Sequence, residues 1–280
     1  MILAHRQWGD ATGPAAVLVH GAADSSATWS ELGQRLAKHG WHVLAVDLPG
    51  HGGSRATGPT LAPSLARFAA DVVETITTLR DGESTVDRLH GASLGAIVAL
   101  LCVAERPAFT RRLILEDPPG RESVDLARFA RDMRVMFEDP DAYVSNFLDG
   151  DYLEGANASP GPDAEALRHH FRAAIAGADG AHVCAAVEQG AGIDAVELAS
   201  RCAMPTLVML GRDRDGPTRQ RDDDCRRARR RCSSPTSGGA SSRRFPTVQC
   251  ASFQGARFPV HGVREVRDAT SAWLTDSCSK

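Results

Sequence analysis

The N-terminal half of the chain alternates short apolar runs with segments whose apolar positions recur at helical spacing. Residues 15–20 form the first run and end at Gly21. Ser26 is expected to cap a helix that carries Trp29, Leu32 and Leu36 on one face and stops near Gly40. Residues 41–46 read as a second buried strand, ending in Asp47-Leu48-Pro49-Gly50. Over residues 65–79, Leu65, Phe68, Ala69, Val72, Val73, Ile76 and Leu79 fall on one helical face. Residues 86–90 form a short strand, 94–105 a nearly all-apolar and therefore buried helix, and 112–115 another strand, closed by Glu116-Asp117-Pro118-Pro119. Strands that are apolar throughout are covered on both faces. With helices between them they predict an α/β fold built on a mostly parallel, doubly wound sheet. Ligands bind beyond the carboxyl ends of such strands. The loops after His20, Asp47, His90 and Leu115 therefore converge on one rim.

Beyond residue 120 the pattern changes. Residues 121–200 hold helix-like segments at 126–137 and 164–176, with no convincing strand, and read as a helical cap inserted into a core of residues 1–120 and 201–280. Strand character returns at 206–210. Residues 217–244 contain Asp222-Asp223-Asp224, then Arg226-Arg227-Ala228-Arg229-Arg230-Arg231, then a Ser/Gly stretch. So little apolar surface cannot offset the ordering entropy, and disorder is expected there. The abrupt loss of pattern also fits a degenerate or frame-shifted segment over 212–252. Residues 245–250 form a candidate last strand, weakened by Pro246, and 263–274 a terminal helix.

Composition narrows the function classes. The chain has 280 residues, of which 42% are apolar and only 5% aromatic, so Leu, Val and Ala must fill its core. A net charge of −3 argues against a nucleic-acid partner, and the arginine run, offset by its aspartates and without interleaved aromatics, reads as a solvated loop. The first ten residues lack the apolar core of a secretory signal, and no apolar run reaches the roughly 18 residues of a membrane span. The expectation is a cytoplasmic monomer or homodimer that acts on a small molecule. The seven cysteines contain no Cys-x-x-Cys pair, and His169-His170 lacks a suitably spaced carboxylate, so no metal is expected.

The candidate chemistry lies at Gly91-Ala92-Ser93-Leu94-Gly95. A nucleophilic hydroxyl must stand clear of the backbone on a sharp strand-to-helix turn, and small residues two before and two after it let strand and helix approach. Leu94 starts the following helix, so its N–H can face a developing oxyanion. A second donor is expected from the loop His20-Gly21-Ala22, at Ala22. A third signal is Asp47-Leu48-Pro49-Gly50-His51-Gly52-Gly53-Ser54.

Together these motifs resemble the α/β-hydrolase superfamily, in its cap-bearing serine hydrolase branch, over about residues 8–216. The resemblance implies the α/β-hydrolase fold, no cofactor, a triad in the order Ser–acid–His, and acyl transfer through a covalent acyl-enzyme. The acid would follow the 206–210 strand. Arg214 occupies the commonest family position, which leaves Asp213 and Asp215 as equal candidates and Asp117 as an outside one. The base would lie in a Gly-His turn, represented here by Gly255-Ala256-Arg257-Phe258-Pro259-Val260-His261. Arg257 or Phe258 fills the usual slot, and His261 is the one histidine nearby. His20 and His51 read as loop-bonding residues. Phe129, Met133, Met136, Phe137 and Phe147 are candidates for an apolar acyl pocket in the cap, or for its packing on the sheet. The expected activity is hydrolysis of a small ester-like or amide-like substrate. The alternatives are an impaired protein that keeps the fold and binds a ligand, or C–C hydrolysis or haloperoxidation on the same triad.

Overall fold

The computed structural model describes residues 1–54, 62–116, 118, 126–147, 164–190, 193, 198–199, 202–212 and 248–254. Its sheet has seven strands in the order β1-β3-β2-β4-β5-β6-β7. They are β1 (His5–Trp8), β2 (Ala15–Val19), β3 (His42–Val46), β4 (Arg88–Ala92), β5 (Leu113–Glu116), β6 (Thr206–Arg212) and β7 (Val248–Gln254). Only β1 runs antiparallel, on β3; the other pairings are parallel. Strands β2 to β5 are buried at every position, as a sheet covered on both faces requires, including the polar His42, Arg88, His90 and Glu116.

Three helices cover the first half of the sheet: α1 (Ser30–Lys38), α2 (Leu65–Leu79) and α3 (Leu94–Glu105). One core layer joins α2 and α3 to Val17, Val19, Leu44, Leu89, Leu113 and Leu115. The opposite layer packs Trp29, Leu32 and Leu36 against Ala16, Leu18, Val43, Ile114 and Met209. The strands alternate these two sets, so helices on both faces follow from the pattern. Between β5 and β6 the described residues include the helices α4 (Leu126–Glu138), α5 (Pro140–Phe147), α6 (Ala164–Gly177) and α7 (Gly180–Gln189).

The structure amends several expectations. Ser25, not Ser26, caps the first helical turn, its Oγ accepting from the Ala27 N–H. The Ser26 N–H instead donates to Asp47 Oδ1, so Ser26 is already inside a 3-10 turn, Ser26–Trp29, that leads into α1. The strand expected at 86–90 is Arg88–Ala92; Val86 makes an isolated bridge to Thr110. The last strand starts at Val248, past Pro246, and pairs with β6 as far as Arg212 and Gln254. Residues 248–252, within the stretch that lacked an apolar pattern, are therefore in the sheet. Strand β1 was not expected: its Arg6 and Gln7 are exposed at an edge, so it carries little apolar signal. The segments 217–244 and 263–274 lie outside the described residues.

Candidate functional site

Register brings the motif loops together. Val19 of β2 pairs with Gly91 of β4, and Ala92 pairs with Glu116 of β5, so the loops at Gly21 and Ser93 leave adjacent strand ends. Ser93 sits between β4 and α3 with φ 50° and ψ −114°. A non-glycine residue there stores on the order of 1–3 kcal/mol and must be held by its surroundings. The Ser93 N–H donates to the Glu116 carbonyl at 2.8 Å, and its carbonyl accepts the Ala96 N–H at 2.9 Å. A Cβ at Gly91 would run into the Gly95 backbone, and one at Gly95 into the carbonyls of Val19 and His20. Only glycine at both positions allows so close a crossing. A Cβ on Gly21 would lie 3.4 Å from Ser93 Cβ, so the 21–25 turn packs directly against the serine.

Leu94 opens α3, and the first N–H groups of a helix have no partner within it. Together with the helix dipole they favour negative charge beside Ser93. On the other side, the 21–25 turn is held from its core end. The Leu48 N–H donates to His20 Nε2 at 3.0 Å, which fixes the proton on Nδ1, and that N–H donates to the Gly21 carbonyl at 2.7 Å. His20 and His51 are thus loop-bonding residues, with ring centroids 5.0 Å apart. The buried Asp47 carboxylate accepts the Ser26 N–H at 2.6 Å through one oxygen and the Gly53 N–H at 2.8 Å through the other. Asp47→Ala is expected to leave both donors unsatisfied and to cost about 3 kcal/mol. Urea denaturation measures it; a loss under about 0.5 kcal/mol would show that water replaces the carboxylate.

Burial lowers the affinity of both loop histidines for a proton, taking His51 to about 3. The imidazole stays neutral in the fold but protonates below about 6.5 when unfolded. The unfolded state then binds more protons, so stability rises with pH across the window from 3 to 6.5 and levels off above it. We expect urea midpoints to fall as pH drops from 7 to 5. The fall should be shallower in His51→Gln, and an equal slope in that variant would assign the effect to other groups.

Sequence reasoning missed a buried pair beneath the elbow. His90 Nε2 donates to Glu116 Oε2 at 3.1 Å, with both side chains 1% exposed, and the Trp29 ring lies 4.8 Å from the His90 ring. Glu116 therefore holds β4 through its carboxylate on His90 and the following Ser93 through its carbonyl. The two residues are far apart in sequence, and no local signal links them.

Met133 and Met136 are buried in the core layer that includes Val183 and Val187, and Phe137 packs on Gly180. These residues pack the helical segment. The side chains of Phe129 and Phe147 lie outside the described residues, as do Asp117, Asp213, Asp215 and His261. The described residues include no group of three His, Cys, Asp or Glu placed to hold a metal, and no helix long and apolar enough to cross a membrane.

A nucleophile elbow at the carboxyl rim of a parallel sheet defines the α/β-hydrolase class. Residues 12–154, just over half the chain, match the family described as serine aminopeptidase, S33, and the chain belongs to that family. It is 33% identical over 150 residues to a pimeloyl-[acyl-carrier protein] methyl ester esterase of Xylella fastidiosa, covering 52% of this chain and 56% of that protein. Its counterpart in Nitrosospira multiformis is 30% identical over 136 residues, covering 45% of this chain and 50% of that one. The chain thus spans about half the length of the curated relatives it matches. Among solved structures it superimposes on a thermophilic esterase from Thermogutta terrifontis with a TM-score of 0.74 at 22% identity, covering 98% of this chain and 93% of that one. An enol-lactonase from Burkholderia xenovorans gives 0.70 at 18%, covering 99% and 96%. These likenesses show the α/β-hydrolase fold.

Proposed function

We propose that this protein is a serine hydrolase of small carboxylic esters that works through an acyl-enzyme. The observation that carries the reading is the strained Ser93, lifted at the end of β4 and enclosed by Gly21 on one side and the start of α3 on the other. Strain of this kind persists only where the surrounding structure over-determines it, and it exposes a hydroxyl that an ordinary turn would bury.

In this mechanism Ser93 Oγ attacks the ester carbonyl while His261 takes its proton, and Asp213 or Asp215 orients the imidazole. The amides of Ala22 and Leu94 receive the oxyanion, each worth about 3 kcal/mol in systems of this type. His261 then protonates the departing alkoxide, and water repeats the sequence to release the acid. The esterase relatives support an ester over an amide. The helices at 126–190 serve as a cap over the rim: the Asp179 N–H at the start of α7 donates to the Gly50 carbonyl at 2.7 Å, and His182 stacks on Phe68.

A second reading is a ligand-binding protein without turnover. It is favoured by the arginine and phenylalanine at the Gly-His turn, since neither can act as a base. Labelling with a fluorophosphonate probe separates the two. Covalent modification that disappears in Ser93→Ala supports the hydrolase, whereas folded wild-type protein that stays unmodified removes it.

A further inference from the structure

The turn at residues 21–25 contains a second strained residue. Ala23 has φ 62°, in the left-handed region where a Cβ costs roughly 1–2 kcal/mol. It stands directly after Ala22, the residue whose amide would receive the oxyanion. His20 and Leu48 hold the turn before it, and the bond from the Ser26 N–H to Asp47 holds it after. Between these, Asp24 is 3% exposed and its Oδ1 accepts the Ser25 N–H at 2.8 Å. The same oxygen accepts from His170 Nε2 at 2.7 Å. His170 lies on α6, 146 residues along the chain, in the helical segment between β5 and β6.

We infer that His170 is a positioning residue for catalysis: through Asp24 it fixes the strained turn that aims the Ala22 amide at the reacting carbonyl. This rests on the hydrolase reading above. An oxyanion donor works only within about 2.7–3.1 Å of the oxygen, so a small relaxation of the turn removes its effect. The core anchors set where the turn begins and ends. The link from His170 to Asp24 is supplied from outside the core. Seating of α6 and completion of the oxyanion site are therefore one event, and a molecule with α6 displaced keeps its nucleophile but stabilises the transition state poorly. The Nε2–H tautomer of the neutral imidazole donates to the Asp24 carboxylate as the imidazolium does, so the contact needs no charge on the histidine.

The test compares wild type, His170→Ala, His170→Gln and Asp24→Asn in the full chain. The measurements are kcat and KM for p-nitrophenyl acetate, Ki for a trifluoromethyl ketone, thermal midpoint, and amide hydrogen exchange of residues 21–25. His170→Ala is expected to lower kcat about 10- to 100-fold, less than the loss of a whole oxyanion donor, with KM nearly constant. Its Ki should rise in proportion, and the 21–25 amides should exchange faster. Glutamine, which can still donate to Asp24, should restore most of the kcat. Unchanged kcat and exchange in an active His170→Ala protein overturns the inference alone. So does a loss that tracks only the thermal midpoint and that glutamine fails to rescue. A folded wild type that neither turns over the ester nor takes a fluorophosphonate removes the hydrolase reading and this inference with it.

Discussion

Ser93→Ala is expected to lower kcat/KM for acyl esters by about 10⁴- to 10⁶-fold and to abolish fluorophosphonate labelling, with little change in stability. In the proposed mechanism the hydroxyl makes the covalent bond, which alanine cannot do. The backbone prediction is sharper. Alanine at φ 50° keeps the strain that serine bears, so its thermal midpoint should stay near that of wild type. Ser93→Gly is equally inactive but relieves the strain, and should be more stable by about 1 kcal/mol once the glycine's greater unfolded-state freedom is subtracted. The pair of variants separates chemistry from geometry. Substantial residual hydrolysis in both would place the nucleophile elsewhere, and a destabilised glycine variant would contradict the strain at the elbow.

Gly95→Ala is expected to damage both fold and site, although it adds only one methyl group. The new Cβ meets the carbonyl oxygens of Val19 and His20, which belong to β2 and the start of the 21–25 turn. Backbone oxygens in a central strand cannot swing aside as a flexible side chain can. Helix α3 must back away, which opens the elbow and shifts the register that brings Gly21 to Ser93. The cost is roughly 3 kcal/mol, with hydrolysis lost even in the fraction that remains folded. Gly40→Ala is the matched control: its φ of 83° also disfavours a side chain, but nothing lies within 4 Å of the added carbon. That variant should lose about 1–2 kcal/mol and keep full activity. Denaturant midpoints and initial rates on the two proteins suffice. Equal, small effects would mean that the β4–α3 crossing is looser than the structure has it.

Much of this architecture is local in origin. The 65–79 and 94–105 helices have the bounds that their apolar spacing predicts, since each pattern is long and unbroken. The elbow was equally legible, because its Gly-x-Ser-x-Gly pattern is local, although only the Gly91 contact is with sequence neighbours and the carbonyls that demand Gly95 belong to Val19 and His20. The edge strand β1 was not legible: it contributes backbone pairing more than buried side chains. Ser25 displaced Ser26 as cap because a carboxylate from another loop, Asp47, took the Ser26 N–H.

The roles of acidic and imidazole side chains divide along the same line. Sequence alone nominated Ser93, Ala22 and Leu94, because a nucleophile and its oxyanion amides sit on motifs a few residues long. Asp213, Asp215 and His261 were nominated only through the resemblance to the α/β-hydrolase superfamily, and they lie outside the described residues. Sequence could not show that His90 meets Glu116, or that His170 reaches Asp24, as 26 and 146 residues separate those partners. Such pairs exist because the parallel register and the seating of α6 bring distant polar groups into a space with little water, where each must find a partner. The chain's local pattern therefore determined where the serine stands, and the tertiary structure alone decided what holds it and the 21–25 turn beside it in place.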